Sequence, residues 1–107
     1  MVRLGPSERP LYIIAPNMAM CHRAALAHGL NPERMENARC ITSAYALRGT
    51  RAGTPFITFE RQSWVKAMQT VFELDQAIDL LVRAGRLRLA ARDDLEAVRG
   101  ERVEAAE

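Results

Sequence analysis

The chain has 107 residues, of which 49% are hydrophobic, 26% charged and only 6% aromatic, as is typical of one small globular domain and not of a disordered chain. Its formal net charge is +2, and 14 of its 15 basic residues are arginine. So small a net charge does not by itself predict a nucleic-acid-binding protein, and no apolar run approaches the roughly 18 residues of a membrane-crossing helix.

The first elements are read from residues 1–29. Residues 1–10 contain two prolines, a glycine and several charges, which predicts an irregular leader that lacks the apolar core of a signal peptide and favours a cytoplasmic protein. Residues 11–15 are apolar and rich in strand formers, which predicts a strand buried on both faces, as in a parallel sheet. Asn17 is a good N-cap for a helix over residues 18–28, and Gly29 followed by an apolar residue is a common helix end.

Two further strands are predicted in the middle of the chain. Residues 38–42 have the composition of a second strand, and Ser43 can cap a short helix over residues 44–48. Pro55 then opens a third strand over residues 56–59, since phenylalanine and isoleucine favour a sheet and proline is tolerated at a strand start.

The longest predicted helix covers residues 63–84. Its apolar residues recur at spacings of three and four, which is the signature of a helix with one buried stripe. Asp75 interrupts the stripe and is expected to face a hydrogen-bonding partner or an interface. The candidate interface residues are two members of this stripe, Trp64 and Met68, together with Asp75. The stripe consists of Trp64, Met68, Val71, Phe72, Ile78, Leu81 and Val82.

The end of the chain completes the predicted fold. Residues 86–90 alternate with period two and can form a short edge strand. A capping box between Asp93 and Glu96 predicts a last helix in a weakly amphipathic tail over residues 91–107. Alternating strands and helices predict a single α/β domain over residues 11–90. This domain is Rossmann-like, with two or three layers, a three-stranded parallel sheet and a long C-terminal helix.

A binding site is expected beyond the carboxyl ends of the strands, where ligands of open parallel sheets bind. Asn17 and Ser43 follow strands and precede helices, whose free N–H groups favour an anion. Glu60 directly follows the third strand, where a carboxylate can bind a metal or act as a base. The candidate ligand- or anion-binding residues are Asn17, Ser43, Arg48, Arg51, Glu60 and Arg61. The alternative is that the first two only cap helices and the arginines are solvated.

Metal and catalytic chemistry have little support in the sequence. Cys21 and Cys40 fit no zinc spacing, and with His22 and His28 as the only histidines we expect two reduced thiols packed as small apolar groups. The chain has no GxxxxGK[ST] loop, no GxGxxG, no GxSxG and no HExxH. We therefore expect no catalytic residue, no metal and no cofactor.

Four short segments carry a family resemblance. They are Ile13-Ile-Ala-Pro-Asn17, Ile41-Thr-Ser43, Leu47-Arg-Gly49 and Phe56-Ile-Thr-Phe-Glu60, in this order. The series resembles the stretch between the first and second nucleotide motifs in the ATPase core of phage terminase large subunits and related helicases. It covers residues 11–61 and implies a reduced P-loop-like scaffold from a phage or its bacterial host.

The departures from that family limit what the resemblance implies. The phosphate-binding loop is missing, and Asn17 stands where threonine is usual. Glu60 is followed by Arg61 instead of a second acid. ATP hydrolysis is therefore not implied for this chain.

Three functions remain open at the level of sequence. The first is a non-enzymatic interaction or regulatory module, such as a phage accessory protein, that binds another protein or forms a homodimer. The second is nucleic-acid binding through Arg48, Arg51 and Arg61, since arginine pairs well with phosphate. The third is a small nucleotide- or metabolite-binding domain that uses Asn17, Ser43 and Glu60.

Overall fold

The computed structural model of the protein describes residues 10–35 and 37–98. The strands are β1 (Leu11–Ile14), β2 (Ala38–Ile41), β3 (Thr54–Thr58) and β4 (Leu87–Leu89), and the helices are α1 (Met18–Ala27), α2 (Gln69–Arg83) and α3 (Arg92–Val98). All four strands are parallel and form one sheet in the order β2-β1-β3-β4. The α/β class with a parallel sheet, predicted from the alternation of elements, is confirmed.

Strand β1 lies inside the sheet, as its uninterrupted apolar sequence predicts. All of its residues are buried, and it pairs with β2 on one side and β3 on the other. The register places Ile13 beside Cys40 on β2 and Ile57 on β3. The chain moves from β1 outward to β2 and then back across β1 to β3, so the direction of winding reverses between β1 and β3.

Both predicted ends of α1 are confirmed. Asn17 accepts a hydrogen bond from the backbone N of Met20 at 2.9 Å and so caps the first turn. Gly29 has a φ of 78°, in the left-handed region that glycine adopts without strain. This turn allows Leu30 N to donate to Ala25 O at 2.8 Å, and the buried Leu30 side chain closes the end of the helix against the core.

The sheet has one strand more than the three predicted. Strand β4 pairs with β3 at the sheet edge, within the alternating pattern over residues 86–90. Thr54 N donates to Arg86 O, and Ala90 N donates to Phe56 O. The residues directly before and after β4 are therefore also hydrogen-bonded to β3. A strand of three residues is too short for its periodicity to distinguish it from a loop.

Helix α2 begins later than the apolar spacing predicts. The expected helix over residues 63–84 is a helix over Gln69–Arg83, preceded by a single 3-10 turn at Arg61–Ser63. Trp64 lies between the two, and its Nε1 donates to Phe59 O at 3.0 Å. The indole therefore anchors a bend after β3. Apolar spacing could not reveal this bend, because Trp64 falls in phase with the stripe of α2.

The helices lie on both faces of the sheet, which gives three layers. Paired residues of parallel strands point to the same face, so Phe56 and Leu89 share a face. Both border a groove with Val82 of α2, and we call this side the α2 face. Arg88 points the other way, where it binds Asp94 of α3.

Helix α1 lies on the same side as α3, which we call the α1 face. Cys21 of α1 interacts directly with Cys40, which is the ladder partner of Ile13. The position of α1 also follows from handedness, because right-handed crossovers in opposite directions put their helices on opposite faces. None of the helices in the described part of the chain is long and apolar enough to cross a membrane.

Helix α3 uses a different cap from the one predicted. Asp94 Oδ2 accepts from Ala91 N at 2.8 Å, so the acidic side chain that bonds back to the first turn is Asp94 and not Glu96. Residues 1–9 of the predicted leader and residues 99–107 of the predicted tail lie outside the described residues, and what the sequence predicts for them stays a prediction.

Candidate functional site

Three of the six predicted site residues lie at the carboxyl edge of the sheet. Ser43 follows β2, Asn17 follows β1 and Glu60 comes soon after β3, in the order in which these strands are paired. All three are exposed. Asn17 Oδ1 is occupied by Met20 N, and Ser43 Oγ accepts from Ala46 N at 3.3 Å. Two of the three side chains thus serve as caps of the turns that follow them.

Arg61 points away from this edge and towards α2. Its Nε donates to Asp75 Oδ1 at 2.6 Å, and its Nη2 donates to Asp79 Oδ1 at 2.7 Å and to the backbone O of Asp75 at 2.9 Å. Lys66 adds a longer ion pair to Asp75 at 3.7 Å. Burial acts to lower the pKa of Arg61, but the bonds to both carboxylates outweigh it, and Arg61 lowers the pKa of Asp79. The charge of Arg61 is therefore neutralised within the chain.

The other two arginines do not collect at the carboxyl edge, and this part of the predicted cleft was wrong. Arg51 lies before β3, where its backbone O accepts from Thr54 Oγ1 at 2.7 Å, which is the amino end of the sheet. The guanidinium of Arg48 lies 4.9 Å from the centre of the Tyr45 ring, beside α2. The chain between β2 and β3 must return from one edge of the sheet to the other because the strands are parallel. Residues along this return cannot all stay at one edge.

The six predicted residues therefore do not give the carboxyl edge the positive charges that an anion site needs. Of the six predicted residues, only Glu60 still places a charge there, and that charge is negative. Its backbone φ of 46° is unusual for a residue other than glycine, and its O accepts from Ser63 N and Oγ in the turn that follows. Binding to a phosphate backbone requires several cations on one surface, so this geometry gives nucleic-acid binding no specific support.

A groove of about 450 Å³ lies between α2 and β4 on the α2 face. Phe56 is buried and forms the floor, whereas Leu89 is 73% exposed and forms the rim. We call this the α2–β4 groove. It is lined by Phe56, Arg61, Asp79, Val82, Arg83 and Leu89.

A second, smaller groove of about 220 Å³ lies on the other side of α2. It separates the helix from the 3-10 turn at Tyr45–Leu47, which connects β2 to β3 on the same face. Its lining is almost entirely apolar and comprises Ala44, Leu47, Arg48, Ala77, Leu80 and Leu81. Leu80 is exposed. Helix α2 thus has open apolar surface on both of its sides.

The three predicted interface residues have different positions. Trp64 is only 5% exposed and belongs to the core, so it cannot form an interface in this fold. Asp75 is bound by Arg61 and Lys66 of the same chain, which gives it the hydrogen-bonding partner that the sequence leads one to expect. Met68 is exposed directly before α2 and remains a candidate.

The cysteines and histidines do not form a metal centre. Among residues 10–35 and 37–98, no group of three or more His, Cys, Asp or Glu side chains could hold a metal ion. Cys21 Sγ donates to the O of Ile13, the ladder partner of Cys40. His28 Nδ1, however, lies 3.0 Å from Ala24 O on its own helix, and His22 is exposed.

Sequence reasoning missed Phe56, Val82 and Leu89 as site residues. The period-two pattern over residues 86–90 already places Leu87 and Leu89 on one face. What the pattern does not give is the position of α2, which covers Leu87 and leaves Leu89 open. The sequence pattern therefore contained a clue to the groove. That clue could be interpreted only once the arrangement of the layers was known.

Comparison with known protein families, with curated proteins and with solved structures finds no match to this chain. The resemblance to the terminase ATPase core, with the phage setting that it implies, therefore stays a prediction. The function has to be argued from the geometry of the α2 face.

Proposed function

We propose that this protein is a non-enzymatic interaction module that binds a second copy of itself through the α2–β4 groove. The observation that carries the proposal is the position of Leu89, which is 73% exposed on an edge strand at the rim of a groove that Phe56 and Val82 also line. A single exposed leucine is ordinary on a protein surface. Exposed apolar side chains grouped around a groove, in contrast, are typical of an interaction site.

The apolar surface extends along the flank of α2 that borders the groove. Phe72 lies seven residues before Asp79, which is two helical turns, so both residues lie on the same flank. Val82 continues this flank towards the end of the helix and lines the groove. Phe72, Val82 and Leu89 are all exposed large apolar side chains. Their burial would remove exposed apolar surface from water, which is the main driving force for association.

A second copy of the chain fits this surface because the surface complements itself. It carries a projecting side chain, Leu89, and a recess with Phe56 at its base, and a two-fold axis brings each projection to the other copy's recess. The charges also match, since Asp79 and Arg83 have opposite signs and line the same groove. A two-fold related copy can therefore pair unlike charges at the rim of the interface.

The test compares two leucines on opposite faces by sedimentation equilibrium over a wide range of concentrations. Leu89→Asp places a charge in the proposed interface, whereas Leu26→Asp places one on α1, where Leu26 is 62% exposed. We expect the wild type to approach twice its 12.0 kDa mass. We expect Leu89→Asp to weaken the dimer by at least about tenfold, or about 1.4 kcal/mol, and Leu26→Asp to dimerise like the wild type.

The outcomes separate the proposal from its alternatives. Circular dichroism melts confirm that both variants are folded. A wild type that stays at 12.0 kDa throughout contradicts the homodimer. Equal weakening by both substitutions, or weakening by Leu26→Asp alone, contradicts the choice of the α2–β4 groove.

A further inference from the structure

The two cysteines of the chain meet on the α1 face, far from each other in sequence but adjacent in space. The parallel register pairs Cys40 with Ile13. Cys21 Sγ donates to Ile13 O at 3.3 Å and lies 3.9 Å from the O of Ile41, the residue that follows Cys40. The Cys21 sulfur therefore lies over the β1–β2 ladder at the level of Cys40, and both thiols occupy the same face.

Cys40 also affects the titration of Cys21. Burial is the main reason why the pKa of Cys21 is raised to about 12, and charge repulsion and a hydrogen bond with Cys40 add to this effect. Because Cys21 Sγ contacts the O atoms of Ile13, the ladder partner of Cys40, and of Ile41, the residue after Cys40, the two cysteines are neighbours between which a disulfide, with its specific geometry, can form. Cys40, which is half-buried on β2, and Cys21, which is buried on α1, thus form a dithiol pair.

The two thiols differ in their access to solvent. Cys21 is completely buried, whereas Cys40 is only partly buried and lies on edge strand β2. An oxidant from solution therefore reaches Cys40 first. Cys21 is placed to react second and inside the protein, which is the order of events in a dithiol that passes through a mixed disulfide.

We infer that Cys21 and Cys40 are a reversible redox site that forms an intramolecular disulfide with a small-molecule disulfide such as oxidised glutathione. The Cys40 thiolate attacks one sulfur of the oxidant, forms a mixed disulfide and releases one glutathione thiolate, which takes up a proton. Cys21 then attacks Cys40 Sγ and gives its proton to the departing glutathione sulfur, which forms the Cys21–Cys40 bond and releases the second glutathione as a thiol. Two protein thiols are oxidised, and one disulfide is reduced to two thiols.

This redox site is independent of the proposed dimer. It lies on the α1 face, across the sheet from the α2–β4 groove. The disulfide would tie α1 to β2 and close the loop between positions 21 and 40, so oxidation acts on the stability of this half of the fold. By linkage, a disulfide that stabilises the folded state must also form more readily in the folded state than in the unfolded chain.

The experiment uses this linkage. The full chain is equilibrated with buffers of fixed reduced and oxidised glutathione ratio, once folded and once in guanidinium chloride. Free thiols are then alkylated, and the products are measured by mass spectrometry. We expect a species that lacks two hydrogens and takes no alkyl group, with an equilibrium constant at least tenfold larger in the folded chain. We also expect its melting temperature to rise by an amount on the order of 10 °C.

Substitution of the more accessible cysteine, Cys40, provides a second test of the inference. Cys40→Ser changes a partly buried position and leaves Cys21 as the only thiol, and we expect this Cys21 to resist glutathione and alkylation while the chain is folded. Three results would overturn the inference. They are an equilibrium constant no larger in the folded chain, a stable Cys40–glutathione adduct as the main product, and rapid reaction of Cys21 in the folded Cys40→Ser variant.

Discussion

The two faces of the sheet are covered in different ways. On the α1 face, the helix contacts the sheet through small side chains, and Cys21, Ala24 and Ala25 are fully buried. On the α2 face, Leu74 and Ile78 are as deeply buried, but grooves remain on both sides of the helix. The α2 face therefore leaves apolar surface in contact with water within both of these grooves.

The size of the contacting side chains accounts for much of this difference. Small residues allow a helix to approach a sheet closely, so that neighbouring side chains cover the strands on either side. Helix α2 contacts the sheet through larger residues, and two of its carboxylates, Asp75 and Asp79, bind Arg61. No helix in the described ranges covers Leu89 on β4. A face of this kind can bind a partner without disturbing the core on the other side.

The largest change in stability is expected from a substitution on the α1 face. Ile13 is fully buried between β2 and β3, and Ile13→Ala should lower the free energy of unfolding by about 3 kcal/mol, because the lost contacts leave a cavity. Leu89→Ala should change it by no more than about 0.5 kcal/mol in the monomer. Urea unfolding, at a concentration where the chain is monomeric, measures both. Equal effects of the two substitutions would remove the distinction between the faces.

A smaller and pH-dependent effect is expected from Asp94, which fastens α3 to the α1 face. Its hydrogen bonds with Arg88, at 2.7 and 2.9 Å, lower its pKa. A lowered pKa in the folded state gives stability that is present above the unfolded value of about 3.9 and is lost as the pH falls through the folded value. Asp94→Asn should therefore be less stable than the wild type at neutral pH, and the difference should shrink in acid.

The exposed neighbour Asp93 provides the control for this prediction. Urea unfolding of wild type, Asp94→Asn and Asp93→Asn is compared between neutral pH and about pH 3, on either side of the unfolded carboxylate value. Asp93→Asn should lose stability in acid as the wild type does. A difference between wild type and Asp94→Asn that stays constant or grows in acid would show that the Arg88–Asp94 pair does not anchor α3.

The elements that could be predicted from the sequence are those that neighbouring residues determine. The strand at Leu11–Ile14, the Asn17 cap and the Gly29 helix end depend on neighbouring residues, and all three are confirmed. The start of α2 depends instead on Trp64, whose indole N–H binds Phe59 O. A helical spacing cannot distinguish a tryptophan in the helix from one in the turn before it.

The candidate site was harder to predict because it depends on the order of strands and layers. Asn17, Ser43 and Glu60 follow strands at the carboxyl edge, and their role in binding stays a prediction. Arg51 and Arg61 lie elsewhere, since one is on the return to the other edge and the other is bound by carboxylates fourteen and eighteen positions further along. Partners of this kind become neighbours only when the helix has packed on the sheet.

The proposed dimer pairs the α2 face of one copy with the same face of a second copy. Nuclear Overhauser contacts between isotope-labelled and unlabelled copies, mixed in solution, report on this pairing. We expect contacts from the Leu89 methyl groups of one copy to the Phe56 ring and Val82 methyl groups of the other. Contacts between copies that involve Leu26 and the α1 face instead, or none at concentrations where the mass is doubled, would contradict it.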